Sequence, residues 1–126
     1  MIEFPVSGTA ELHGRLNFWE QKHANLSFYD KSLGDVIFHL SFRYSERALI
    51  VNHSHQGNWA DEIRIPLDLN ADGDWFAVSF DTPSISVLLN GAPVFSNPEF
   101  GTELDRVRNV VLQGGVVQPV LSGSDC

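Results

Sequence analysis

His39, Ser41 and Arg43 stand two apart in the run VIFHLSFR, and Asn52, Trp59, Glu62 and Arg64 complete a stretch of 26 residues from His39 to Arg64. Their side chains are an imidazole, a hydroxyl, two guanidiniums, an amide and a carboxylate, beside one large flat aromatic ring. A neutral sugar presents hydroxyl groups that donate and accept hydrogen bonds, and one apolar patch of ring C–H groups. A site for it needs fixed donors and acceptors next to a hydrophobic wall. That is the chemistry these residue types supply.

The elements that must position them follow from periodicity. Residues 36–43 alternate, so a strand there puts His39, Ser41 and Arg43 on one face and Phe38, Leu40 and Phe42 on the other. A face carrying His, Ser and Arg costs several kcal/mol if buried without partners, on the order of what an unpaired polar group costs. It is therefore wet or occupied by a ligand. Residues 48–53 form a β-branched run, joined to the first through Tyr44–Arg47 as a hairpin, with Ile50 and Asn52 sharing a face. Glu62 and Arg64 are again two apart, so Arg43, Glu62 and Arg64 are expected to interlock, with Glu62 bridging the two guanidiniums. Such a pairing would hold a rigid template and lower the ordering cost of binding.

Further strands are expected near 10–16, 24–29, 74–80, 84–89, 92–95, 107–112 and 116–120, with Asn90-Gly91 as a hairpin turn. One short helical turn is expected near Glu103–Arg106. Many short strands with regular turn signals, and no long helical period, mean an all-β sandwich or barrel. The 126 residues suit one domain spanning residues 1–126, and 43% apolar with 11% aromatic residues suits a globular core.

A net charge of −8 argues against nucleic acid and against anionic lipid surfaces. No apolar run reaches the length of a membrane span, so no membrane insertion is expected. The lone cysteine, Cys126, excludes an internal disulfide framework. The first residues carry no readable secretory signal. Synthesis in the cytoplasm is expected, with any extracellular delivery by a route outside the secretory pathway.

The arrangement H-x-S-x-R, I-V-N, W-x-x-E-x-R resembles the galectins, the β-galactoside-binding lectins, whose usual pattern is H-x-N-x-R, V-x-N, W-G-x-E-x-R. The resemblance places the family's carbohydrate-binding positions on His39, Ser41, Arg43, Asn52, Trp59, Glu62 and Arg64. It implies a galectin-type β-sandwich, or jelly roll, of two antiparallel sheets and a lectin for β-galactosides such as lactose or N-acetyllactosamine. It implies no catalysis and no cofactor or metal. Trp59 would stack on galactose, His39 and Arg43 would bond its axial O4 with Ser41 assisting, and Asn52 and Glu62 would hold O6. Arg43, Glu62 and Arg64 would reach the O3 of the next sugar. Ser41 in place of Asn and the short turn Tyr44–Arg47 make the chain most like fungal galectins, which form dimers or tetramers, while Ala60 in place of Gly is a further departure from the usual pattern. A homodimer or tetramer binding galactose-containing glycans is the implied state. Two alternatives remain open: binding of chitooligosaccharides or other N-acetylglucosamine glycans, and a protein-interaction module without sugar binding.

Other motifs read more plainly. His53 and His55 lack a third ligand at sensible spacing. Asp68-x-Asn70-x-Asp72-Gly73 matches half of a calcium loop, but position twelve is Ser79 and no helix flanks it, so a turn is expected. The letters of two glycosylation sequons, at Asn25 and Asn52, are expected to be silent. Asp61 and Glu62 are adjacent and point opposite ways on a strand, so they make no glycosidase pair. Ser41 beside His39 lacks a triad. No enzyme is expected.

Overall fold

Alternation in the sequence becomes two-sidedness in the structure. The computed structural model describes residues 2–3, 9–81, 84–96 and 106–124. Thirteen strands follow in order: β1 (Ile2–Glu3), β2 (Thr9–Leu16), β3 (His23–Tyr29), β4 (Val36–Arg43), β5 (Ala48–Asn52), β6 (Ser54–His55), β7 (Asn58–Trp59), β8 (Ile63–Pro66), β9 (Trp75–Asp81), β10 (Ser84–Leu89), β11 (Ala92–Ser96), β12 (Asn109–Gly114) and β13 (Val116–Ser124). No helix occurs among the described residues. The helical turn expected near Glu103–Arg106 lies outside them, except for Arg106, which is in a turn.

Two antiparallel sheets make a sandwich. One has six strands in the order β1-β12-β3-β4-β5-β8, the other five in the order β11-β10-β9-β2-β13. A third, two-stranded sheet joins β6 to β7. The inner faces bring together Leu26, Phe28, Phe38, Leu40, Phe42, Leu49 and Val51 from the first sheet with Leu12, Phe76, Val78, Phe80, Ile85 and Val87 from the second, none more than 5% exposed. Phe28 meets Phe80 edge-on at 5.1 Å, and Phe42 meets Phe76 at 6.2 Å, so the aromatic residues of β3 and β4 lock into those of β9. With Phe38, Leu40 and Phe42 spent on the core, the outward face of β4 is free to carry His39, Ser41 and Arg43.

Turn chemistry fixes the registers. Asn90 and Gly91 have φ of 52° and 83°, the positive pair that a tight hairpin turn requires. The Asn90 side chain also accepts the amide of Trp75 at 2.8 Å and donates to buried Asp74 at 2.9 Å. Asp74 in turn accepts the amide of Asn70 at 2.7 Å. The stretch that resembles half a calcium loop is thus a turn closed by Asp74, and among the described residues no group of three or more His, Cys, Asp or Glu is placed to hold a metal ion. The two terminal strands, β1 and β13, each lie at the edge of a sheet. β13 is irregular between Val117 and Val120, where Gln118 has a φ of 52° and Pro119 follows.

Candidate functional site

The outward face of the six-stranded sheet is a grid. Ser27, His39 and Asn52 lie in one row across β3, β4 and β5. Asn25, Ser41, Ile50 and Arg64 form the next, extending to β8. His23, Arg43 and Ala48 form a third. The sheet therefore brings His39, Ser41, Arg43, Asn52 and Arg64 onto one surface, as their spacing implies. Trp59 and Glu62 arrive from the chain that leaves β5 and returns as β8.

Trp59 is held at the rim. β6 and β7 pair Ser54 with Trp59 and His55 with Asn58. Below them, the Ala60 amide donates to the His53 carbonyl at 3.0 Å. Asn52, only 7% exposed, donates its side-chain amide to the Ala60 carbonyl at 2.9 Å and accepts the His53 amide at 2.8 Å. Asn52 thereby clamps both sides of the hairpin base. The Trp59 ring stays 54% exposed and meets the edge of His39 at 5.2 Å and 67°. Trp19 and Trp75 are comparably exposed. Only Trp59 stands among the polar side chains of β4 and β5, in a groove of about 400 Å³ lined by His39, Arg43, Ile50, Asn52, Trp59, Ala60 and Glu62. That volume lies in the range of small-molecule sites, about 300–1,000 Å³.

His39 is fixed from behind. Its Nδ1 is 2.8 Å from the hydroxyl of Ser27, a buried neighbour on β3 that the sequence reading did not single out. Burial, and then the nearby Arg43 charge, hold its pKa below the ordinary imidazole value, so the ring is uncharged at neutral pH. Ser41, 3% exposed, accepts from Arg43 Nε at 3.2 Å and so orients the guanidinium.

The charge template differs from the expectation in one respect. Glu62 does not bridge the guanidiniums: among the described residues its only ion pair is a long one to Arg43, at 3.9 Å. Glu46 is the bridge, with 3.4 Å to Arg43 Nη1 and 2.9 Å to Arg64 Nη2. Its carboxyl is held below the usual carboxylate range, first by the hydrogen bond from Arg64. The physical reason lies in the turn. Glu46 closes the β4–β5 hairpin, and the turn folds its carboxylate back over the sheet face between the two cations. The sequence places Glu46 in that turn, but nothing in its spacing says which way the side chain points. Glu62 is left half exposed, facing the groove rather than spent on both cations. Replacing Glu46 by Gln is expected to loosen both guanidiniums, and so to weaken severalfold any ligand they hold, while the melting temperature barely moves, because exposed ion pairs add little to stability. Titration calorimetry beside thermal unfolding checks this.

Next to the groove, across β3, lies a second depression of about 320 Å³ lined by Lys22, His23, Asn25, His39, Ser41, Arg43, Ser45 and Glu46. The Asn25 Oδ1 in it is buried and has no hydrogen-bond partner among the described residues. At the far end of β4, His55 bonds Asp35 at 3.1 Å.

A family model described as galactoside-binding lectin matches residues 4–117. Among solved structures, galectin LEC-6 of Caenorhabditis elegans is similar at 20% identity and a TM-score of 0.72, covering 96% of this chain and 89% of that one. Sheep galectin-11, solved in complex with glycerol, is similar at 11% identity and a TM-score of 0.75, covering 96% and 95%. An ancestral congerin is similar at 20% identity and a TM-score of 0.64, covering 96% of each. At these identities the likeness to the solved structures is one of fold. No curated protein matches in sequence.

Proposed function

The chain belongs to the galactoside-binding lectin family, whose members bind carbohydrate without turning it over, and on that premise we propose that it binds β-galactosides such as lactose and N-acetyllactosamine in the groove between Trp59 and Arg43. The observation that carries this reading is the half-exposed Trp59 ring, braced edge-on by an uncharged His39 at the mouth of a groove lined with oriented polar groups.

The chemistry follows from what each side chain has left to offer. The Trp59 face covers the apolar side of galactose. With Nδ1 engaged by Ser27, His39 presents Nε2 to the axial O4, and Arg43, oriented by Ser41, donates to the same hydroxyl. An equatorial O4 would leave those groups unsatisfied and crowd the ring, which is the basis of selection. Glu62 and the second hydrogen of the Asn52 amide serve O6. Arg43, Glu62 and Arg64 reach the following sugar. The depression over β3 gives room for a longer glycan. Retention on lactose-agarose with elution by free lactose tests the reading. Passage through that column with retention on chitooligosaccharide would replace galactose by N-acetylglucosamine, and passage through both would mean a module without sugar binding.

Because covering His39 with a sugar removes it further from water, binding should favour the uncharged ring. Lactose affinity is expected to stay level above the ordinary imidazole range and to fall as the pH drops below it. An affinity that rises on acidification would contradict this role of His39.

One shallow groove gives weak binding, and a lectin acting on surfaces gains from several sites at once. We propose a homodimer or tetramer formed through exposed sheet edges. The bulge and Pro119 blunt β13, and Pro on an edge strand opposes pairing. Light scattering is expected to give a multiple of 14.0 kDa, together with agglutination that lactose reverses. A 14.0 kDa particle that does not agglutinate would be a monovalent binder.

A further inference from the structure

We propose that Asp35 is a positioning residue of the sugar site: clamped by Arg106, its carboxylate fixes the hairpin that presents Trp59. The proposal deepens the lectin reading and rests on it for the sugar, though not for the hairpin itself.

The hairpin needs an external hold. β6 and β7 are two residues each, and a short isolated hairpin is marginal in water. Its turn is Gln56-Gly57, with φ of 52° and 82°. Both central residues are left-handed, as in the Asn90-Gly91 turn. Asn adopts that conformation readily, and a long side chain such as Gln does not. The local sequence therefore does not specify this turn as it specifies the other.

What supplies the hold comes from outside the hairpin. Asp35 accepts the Gln56 amide on Oδ1 at 2.9 Å, so the carboxylate grips the strained residue itself. Its Oδ2 lies 3.1 Å from His55 Nδ1, on the strand that pairs with the one bearing Trp59. The carboxylate is fixed in turn: Arg106 donates to Oδ2 at 2.8 Å and also reaches Asp30 at 3.4 Å. Asp30 accepts the Gly34 amide at 3.0 Å and the Asp35 amide at 3.3 Å, which freezes the loop that carries Asp35. The next residue, Val36, donates its amide to Ser54 at 3.4 Å. The Asp35 carboxyl, held down to about 2 chiefly by Arg106, stays ionised across the whole range in which a lectin would be assayed. Asn52 thus clamps the base of the hairpin, and Asp35 clamps its tip. Trp59 lies between the two.

A merely structural role would be confined to the loop at residues 30–35 and would leave the Trp59 ring where it is. The test uses the chain with Trp19→Phe and Trp75→Phe, so that 5-fluorotryptophan labels position 59 alone. In the sugar-free protein, Asp35→Ala is expected to shift and broaden the fluorine resonance of Trp59 and to weaken lactose by roughly tenfold, less than loss of the ring itself. Asp35→Asn, which keeps an oxygen for the Gln56 amide, should shift the resonance less and restore part of the affinity. If Asp35→Ala fails to fold, the shift in Asp35→Asn alone decides. In a Trp59→Ala background, adding Asp35→Ala should change residual binding no further, because the two act as one unit. An unmoved Trp59 resonance in the variants, or an undiminished Asp35 effect without Trp59, would overturn the proposal. A parent chain that does not bind lactose would end the sugar reading, and the fluorine resonance of the free protein would still decide whether Asp35 positions Trp59.

Discussion

Replacing Trp59 by alanine is expected to lower lactose affinity by about thirtyfold, the equivalent of about 2 kcal/mol or more. The indole is the flat apolar wall among the residues that line the groove, and in the proposed binding mode it covers the apolar face of galactose. Truncation also removes the edge contact to His39 at 5.2 Å, so the imidazole loses a brace on the groove side while Ser27 still holds it from behind. The fold should survive, since Trp59 is 54% exposed and lies outside the core. Titration calorimetry with lactose, beside a thermal melt, reads both consequences. An unchanged affinity would remove Trp59 from the site and with it the apolar half of the recognition.

Arg43→Lys is expected to weaken lactose by roughly tenfold or more, since hydrogen bonds to a charged group contribute about 1.5–3 kcal/mol. The change keeps the charge and loses the planar fork. In the structure that fork is spent in several directions at once: Nε on Ser41 at 3.2 Å, Nη1 on Glu46 at 3.4 Å, and Nη2 toward Glu62 at 3.9 Å. An ammonium on a flexible stem cannot reproduce that set and still serve the two sugars of the proposed binding mode. A double mutant with Glu46→Gln should lose less than the sum of the single changes, because the two side chains form one unit. Wild-type affinity in Arg43→Lys would mean that the guanidinium is structural only.

Much of the fold was legible because its sandwich writes alternation into each strand. VIFHLSFR gives its inner and outer faces directly, and Asn90-Gly91 marks its hairpin by the one dipeptide best suited to it. The short strands β6 and β7 were not legible: two residues carry no period, and their Gln56-Gly57 turn depends on Asp35, some twenty residues earlier. In the site, the residues that project from strands, His39, Ser41, Arg43 and Asn52, could be placed from spacing alone. Three contributors could not. Glu46 sits in a turn whose side-chain direction no period fixes. Ser27 lies opposite His39 only because β3 pairs with β4 in that register. Asp35 reads as part of a loop until the hairpin it grips is in view. Each acts through strand pairing or turn geometry, which the order of residues does not express on its own.

The most direct test is a paired calorimetric titration with lactose and cellobiose, disaccharides that differ only in the orientation of O4 on the first sugar. Lactose should bind with a stoichiometry of one per chain and cellobiose should not bind measurably, because an equatorial O4 abandons His39 and Arg43. Equal binding of the two, or no binding of lactose, would contradict the assignment of the groove to β-galactosides.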